Sequence, residues 1–276
     1  MEKDSQIGRE SVITKDNLHY FLSDIAIQRE RKGTSEVLIP HIQTVLLEAE
    51  KLGEKSAVLQ LYQEEFLSAQ HMVMEERSKR FRINPIRAAE GFLFMEISSQ
   101  AMESYAEANS EDLDPAVKAR VFRFLGRYMD YKGYFKKSEK YYRKGLEYFD
   151  RSENPEEKIN RLEFSGLLSY SLIKQGRIDK GIGLAEQTLR DFDESEEGLW
   201  LKDNNYYTWA VWKSGIEMRT AENILRKKDA QHIGLAKVFL ADSENILKMP
   251  DGSTENFRLR LDELDVVKYL MEKSKL

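Results

Sequence analysis

The stretches VFRFLGRYMDYKGYFKKSEKYYRKGL (residues 121–146) and FSGLLSYSLIKQGRIDKGIGLAEQTL (residues 164–189) carry one pattern twice. Phe122, Leu125-Gly126, Met129, Gly133, Phe135, Ser138, Tyr142 and Gly145-Leu146 in the first match Ser165, Leu168-Ser169, Leu172, Gly176, Ile178, Gly181, Ala185 and Thr188-Leu189 in the second. Self-similarity at such a period marks repetition of one supersecondary unit. The unit reads as two helices about a turn glycine, Gly133 or Gly176. Antiparallel helices approach closely only where small residues face each other, so Gly126, Ser138 and Gly145 are expected contact points, repeated by Ser169, Gly181 and Thr188. Glycine inside a helix costs roughly 1 kcal/mol relative to alanine, so Gly126, Gly145, Gly166, Gly181 and Gly183 point to close packing rather than to solvated helices.

The pattern resembles the tetratricopeptide repeat, in which a bulky residue, Leu-Gly, an aromatic, a turn glycine, a small residue, an aromatic and another small residue stand at these offsets. Phe122 and Ser165 stand where that family has tryptophan, and Ala185 replaces an aromatic. The turn glycines lie 43 residues apart, against about 34 in the common repeat; the polar stretch 150–155 or longer second helices would take up the difference. The resemblance implies an all-α, right-handed superhelix of antiparallel helical hairpins, a tetratricopeptide-like α-solenoid with a C-terminal capping helix. It is clear over residues 115–193.

Outward from that centre the periodicity continues in both directions. Residues 1–14 carry none and read as a flexible arm. Residues 15–110 read as a helical region of degenerate repeats, with helices over 17–31, 37–52 and 55–80 and a fourth from residue 85 to about 109. Pro40 either kinks the second of these or marks its true first turn. Asn84-Pro85, Asp114-Pro115 and Asn154-Pro155 each place an N-cap residue before a proline at the first helical position, which fixes three helix starts. The acidic run at 191–197 breaks the pattern before a divergent hairpin at 199–248, expected as a long helix from about Trp200 and a partner over 230–248. A final amphipathic helix in 255–276 is expected to cover the exposed face of the last hairpin, because an uncovered end presents apolar surface to water.

Composition bounds the function. The 276 residues are 41% hydrophobic and 33% charged, enough apolar content for a sizeable core. Forty-three basic against 48 acidic residues give a net charge of −5, which argues against nucleic acid as the default partner. Cysteine is absent, which excludes disulfides, thiolate nucleophiles and cysteine metal sites. No hydrophobic run is long enough for a signal peptide or a membrane span, so a cytoplasmic location is expected.

Catalytic motifs are missing. His19, His41, His71 and His232 are scattered without metal-ligand spacing, and no phosphate loop, dinucleotide motif, nucleophile elbow or kinase motif set occurs. Glu64-Glu65 and Glu75-Glu76 are consecutive, so each pair should diverge on a helix. No catalytic residue, metal or cofactor is expected. The best binding candidates are Arg120, Arg123 and Arg127, spaced i, i+3 and i+7 on one stripe, with Phe124 and Tyr131 at its border. Tyr170 and Lys174 follow on the second hairpin. The resemblance places these positions on the concave face, where they would hold a peptide or a partner protein's helix, an acidic segment or a terminal carboxylate among them. A solvated arginine face is the alternative. The family's chaperone-tail clamp needs asparagines where Arg127 and Tyr170 stand, so that activity is not expected. Trp200, Trp209 and Trp212 read as packing between the last hairpins or as an interface hot spot.

The leading reading is therefore a non-enzymatic binding scaffold. The alternatives are a regulatory sensor, resembling bacterial peptide-responsive repeat proteins, and an enzyme assembled from separate helices. A scaffold predicts a continuous open groove, a sensor a ligand-sized pocket near the centre, and an enzyme converging acids or histidines.

Overall fold

A computed structural model describes residues 12–31, 33–79, 83–151, 159–249 and 251–274. Among these residues the chain forms twelve α-helices and no strand. They are α1 (Leu18–Arg29), α2 (Ser35–Leu52), α3 (Lys55–Ser78), α4 (Pro85–Ala108), α5 (Pro115–Tyr131) and α6 (Phe135–Phe149). There follow α7 (Asn160–Lys174), α8 (Ile178–Glu194), α9 (Glu196–Asn204), α10 (Tyr206–Lys227), α11 (Ile233–Ile246) and, after a 3₁₀ turn at Glu255–Phe257, α12 (Arg258–Ser274). No described helix is long and apolar enough to cross a membrane.

The helix ends follow local chemistry. Asn84 Oδ1 accepts hydrogen bonds from the amides of Ile86 and Arg87 at 3.1 and 3.2 Å, and Asp114 Oδ1 accepts from Ala116 at 2.7 Å, so both caps form where a cap residue precedes proline. The third pair, Asn154-Pro155, lies outside the described residues, as does the first part of the N-terminal arm. The two turn glycines close their helices identically. Gly133 N–H donates to Asp130 O at 3.0 Å and Tyr134 N–H to Met129 O at 2.9 Å; Gly176 donates to Ile173 O and Arg177 to Leu172 O, both at 3.0 Å. Both glycines have positive φ, 78° and 86°, which a side chain disfavours. Pro40 lies inside α2 rather than in its first turn.

Small residues set how close the helices come. A Cβ built on Gly126 of α5 would stand 2.4 Å from the Tyr142 ring of α6, and one on Gly145 of α6 would stand 2.2 Å from Phe164 of α7. Gly166 of α7 would meet Ile216 of α10 at 2.3 Å, and Gly181 of α8 the carbonyl of Ser169 at 2.8 Å. Over the missing Cβ atoms of α5, α6 and α7 sits a side chain of the neighbouring helix, and α8 lies there against the backbone of α7. Gly183 departs from the expectation: nothing lies within 4 Å of its added Cβ. Two residues beyond Gly181, it faces about 200° away on the same helix and looks into solvent.

Two further departures lie at the C-terminal end. The helix expected from Trp200 is broken, because α9 stops at Asn204 and Asn205 caps α10 by accepting from the Thr208 amide at 3.1 Å. Trp200 is consequently 45% exposed, whereas Trp209 is buried with its indole N–H donating to Phe192 O at 3.1 Å. The last helix does more than cover the final hairpin: α12 packs on α10 and α11 and also on α3. Tyr207 of α10 donates a hydrogen bond to Glu30 just beyond α1, a second link between the two ends of the chain.

Replacing Gly145 with Leu should overpack the α6–α7 contact and lower stability by about 1–3 kcal/mol. Gly183→Ala should instead stabilise by up to about 1 kcal/mol, since only helix propensity changes there. Thermal melts of the two variants against wild type separate a packed glycine from a solvated one.

Candidate functional site

The last turn of α5 carries a densely connected group. Asp130, 6% exposed, accepts from Ser138 Oγ of α6 at 2.6 Å, Tyr142 Oη of α6 at 2.7 Å and Ser171 Oγ of α7 at 2.7 Å. Arg127, one turn earlier, has Nη1 3.7 Å from Asp130 Oδ2 and its guanidinium 5.1 Å from the Tyr131 ring centre. Burial pushes the Asp130 carboxyl above its ordinary range, against the opposing pull of Arg127 and the three hydroxyls. A carboxylate with that many donors locks α5, α6 and α7 together.

Beside this group lies a cavity of about 660 Å³ walled by six helices, α6 contributing Phe135. Arg127, Asp130 and Tyr131 come from α5, Tyr170 and Lys174 from α7, and Arg219, Glu222 and Arg226 from α10. Met74 and Arg77 of α3 form another wall, and Leu259, Glu263, Val266 and Val267 of α12 the last. Six cations, Arg77, Arg127, Lys132, Lys174, Arg219 and Arg226, meet three carboxylates, Asp130, Glu222 and Glu263. Lys174 shows the crowding: burial lowers its pKa, and Arg226, Lys227 and Arg77 lower it further against the pull of Glu222.

A second cavity of about 270 Å³ adjoins the first, sharing Met74 and Leu259 in its lining. Arg120, Arg123 and Phe124 line it, together with His71, Glu163 and Arg260. Arg123 grips Glu163 of α7 through two parallel hydrogen bonds, Nε at 2.6 Å and Nη2 at 2.5 Å. His71 sits buried, with Nδ1 3.0 Å from Arg29 O. Burial, then the charge of Arg29, holds its pKa down at about 4.

All seven candidate residues therefore line one of two adjoining cavities: Arg120, Arg123 and Phe124 the smaller, Arg127, Tyr131, Tyr170 and Lys174 the larger. The stripe is neither a free surface nor a solvated face, because Arg123 and Arg127 are paired and Arg127 is only 8% exposed. The expectation for Glu75 and Glu76 also needs correcting: both reach Arg87, at 2.6 and 3.1 Å, since long side chains bridge their angular separation on α3. Arg77, Arg219, Glu222, Arg226 and Glu263 were not singled out from the sequence. A signal existed, since Arg219, Glu222 and Arg226 repeat the i, i+3, i+7 spacing of Arg120, Arg123 and Arg127. Among the described residues no group of histidines and acids is arranged to hold a metal. In comparisons with known proteins, no family model and no curated sequence matches this chain.

Asp130→Ala would leave Arg127 buried without its carboxylate, and should cost about 3–5 kcal/mol in urea unfolding. Tyr142→Phe, which removes one of three hydroxyl donors, should cost about 1.5–3 kcal/mol. Below about pH 6.5 the unfolded chain protonates His71 while the folded chain refuses the proton down to about 4. Stability should thus fall as pH drops through that window, by on the order of 3 kcal/mol in full. His71→Gln should flatten that part of the stability profile between pH 7 and 5.

Proposed function

We propose that this protein is a non-enzymatic receptor of tetratricopeptide-like build, a superhelix of hairpins that encloses a short peptide between its inner helices and its C-terminal helix. The cavity bounded by α3, α5, α6, α7, α10 and α12 is the observation that carries this reading. Its volume of about 660 Å³ falls within the roughly 300–1,000 Å³ of ligand pockets. Its lining joins arginine and lysine heads to Tyr131, Tyr170 and the apolar Leu259, Val266 and Val267. That mixture suits a chain with backbone carbonyls, an acidic group and apolar side chains better than it suits a purely ionic solute.

The scaffold reading and the receptor reading share this binding chemistry and differ in the occupant. A partner helix lying along the stripe would need the space beside α5 and α7 that α12 borders through Leu259 and Glu263. The receptor reading is favoured for that reason. An enzyme is disfavoured because the carboxylates of the cavity are committed to cations and hydroxyls: Glu222 to Arg226 at 2.7 Å, Glu263 to Arg260 at 2.6 Å, and Asp130 as described.

The test is retention of pooled synthetic pentapeptides by the immobilised full chain, read by mass spectrometry. Wild type should retain a subset, and a retained peptide at a hundredfold over its Kd should stabilise the fold by about 2.7 kcal/mol. Val266→Trp, which fills the cavity from α12, should reduce retention at least tenfold with little change in helical circular dichroism. Failure of wild type to retain any peptide rejects the receptor.

A further inference from the structure

Arg219 is an exception to the way this chain treats its half-buried arginines. Arg29 pairs with Glu64 at 2.6 Å, Arg87 with Glu75 at 2.6 Å, Arg123 with Glu163 at 2.5 Å and Arg260 with Glu263 at 2.6 Å. Arg219 lines the larger cavity and makes no ion pair among the described residues, and its Nε is buried without a hydrogen-bond partner. The carboxylates that could neutralise it are engaged elsewhere. Glu263 is held by Arg260, Glu222 by Arg226, and Glu163 by Arg123.

The fold nevertheless makes room for this guanidinium. Gly215, one turn earlier on α10, is buried, and a Cβ there would stand 3.1 Å from Arg219 Nη1 and 3.2 Å from Nη2. The guanidinium therefore lies back over a residue with no side chain. Burial, then the charges of Arg127 and Arg260, lowers its pKa to about 10, which leaves it cationic at neutral pH. A half-buried guanidinium with no ion pair of its own is costly, and local violations of that kind are expected at functional or strained sites.

Resting on the receptor reading, we propose that Arg219 and Arg127 form an oxyanion subsite in the larger cavity that receives a carboxylate of the bound peptide. The planar fork of an arginine matches a carboxylate with two parallel hydrogen bonds, and a desolvated wall strengthens them. The carboxylate comes either from the chain terminus or from an Asp or Glu side chain, and the two sources present the same chemistry to the fork.

Three pentapeptide pools separate these sources: free C-terminus without acidic residues, amidated C-terminus without acidic residues, and amidated with one Asp or Glu. Wild type should retain the first or the third at least tenfold over the second. Arg219→Met should reduce that preference to threefold or less and melt no lower than wild type, because it removes a charge that no ion pair of its own holds among the described residues. Arg219→Lys, which keeps the charge and loses the fork, should retain part of the preference and serves if the methionine variant folds poorly. Equal retention of all three pools by wild type, or an undiminished preference in both variants, overturns the subsite alone. Retention of no pool overturns the receptor and the subsite with it.

Discussion

Close approach over missing side chains is the constraint on which this structure depends. Tyr142 sits on Gly126, Phe164 on Gly145 and Ile216 on Gly166, so α5, α6, α7 and α10 are fixed in sequence, each by a bulky group of the next. Glycine in a helix is unfavourable by roughly 1 kcal/mol, and the dense packing gained at the contact offsets it. The same placement has a polar consequence. With its ring on Gly126, Tyr142 carries its hydroxyl to Asp130, and Ser138 and Ser171 complete the set of donors. Asp130 in turn stands beside Arg127, so the backbone spacing of the hairpins determines where the cavity's charge lies.

Charge pairing then divides the arginines into two groups. Those at helix contacts, Arg29, Arg87 and Arg123, hold carboxylates from other helices at short range and behave as struts. Those around the larger cavity are crowded together and under-neutralised, so an anion entering there meets an attractive field focused by low-dielectric walls. A strut and a cavity arginine look alike in sequence, because both are arginines on an amphipathic helix. What separates them is whether a carboxylate on another helix reaches them.

That distinction explains what could be read without coordinates. The hairpins were legible because their information is local: the offsets around Gly133 and Gly176, and the caps Asn84 and Asp114, act within one or two turns. The stripe of Arg120, Arg123 and Arg127 was also legible, since its spacing places it on one face, and that face does line the two cavities. Illegible were the contacts that join distant parts of the chain, such as α12 on α3 and Tyr207 on Glu30, for which no periodicity exists. Gly183 misled for a related reason. A glycine's identity does not tell which way its missing Cβ would point, and the register of α8 turned it outward. The break at Asn205 escaped because Trp200 and Trp209 both suit a helix, and only the cap by Asn205, which accepts from the Thr208 amide, separates the two.

The C-terminal helix shows how one amphipathic segment can serve two purposes. Leu259, Glu263, Val266 and Val267 stand at i, i+4, i+7 and i+8, which is one stripe, and that stripe faces the cavity. Leu261, Leu264 and Met271 pack toward the core built from α8, α10 and α11, and Val267, at the edge between the two sides, is buried in that core as well. A helix that only capped the array would need the second face alone, with polar residues opposite it. Here the opposite side carries Leu259 and Val266, apolar and half-buried, together with a carboxylate fastened to Arg260 on its own helix. Apolar groups at positions that a cap would leave to water are accounted for if that side of α12 is a wall.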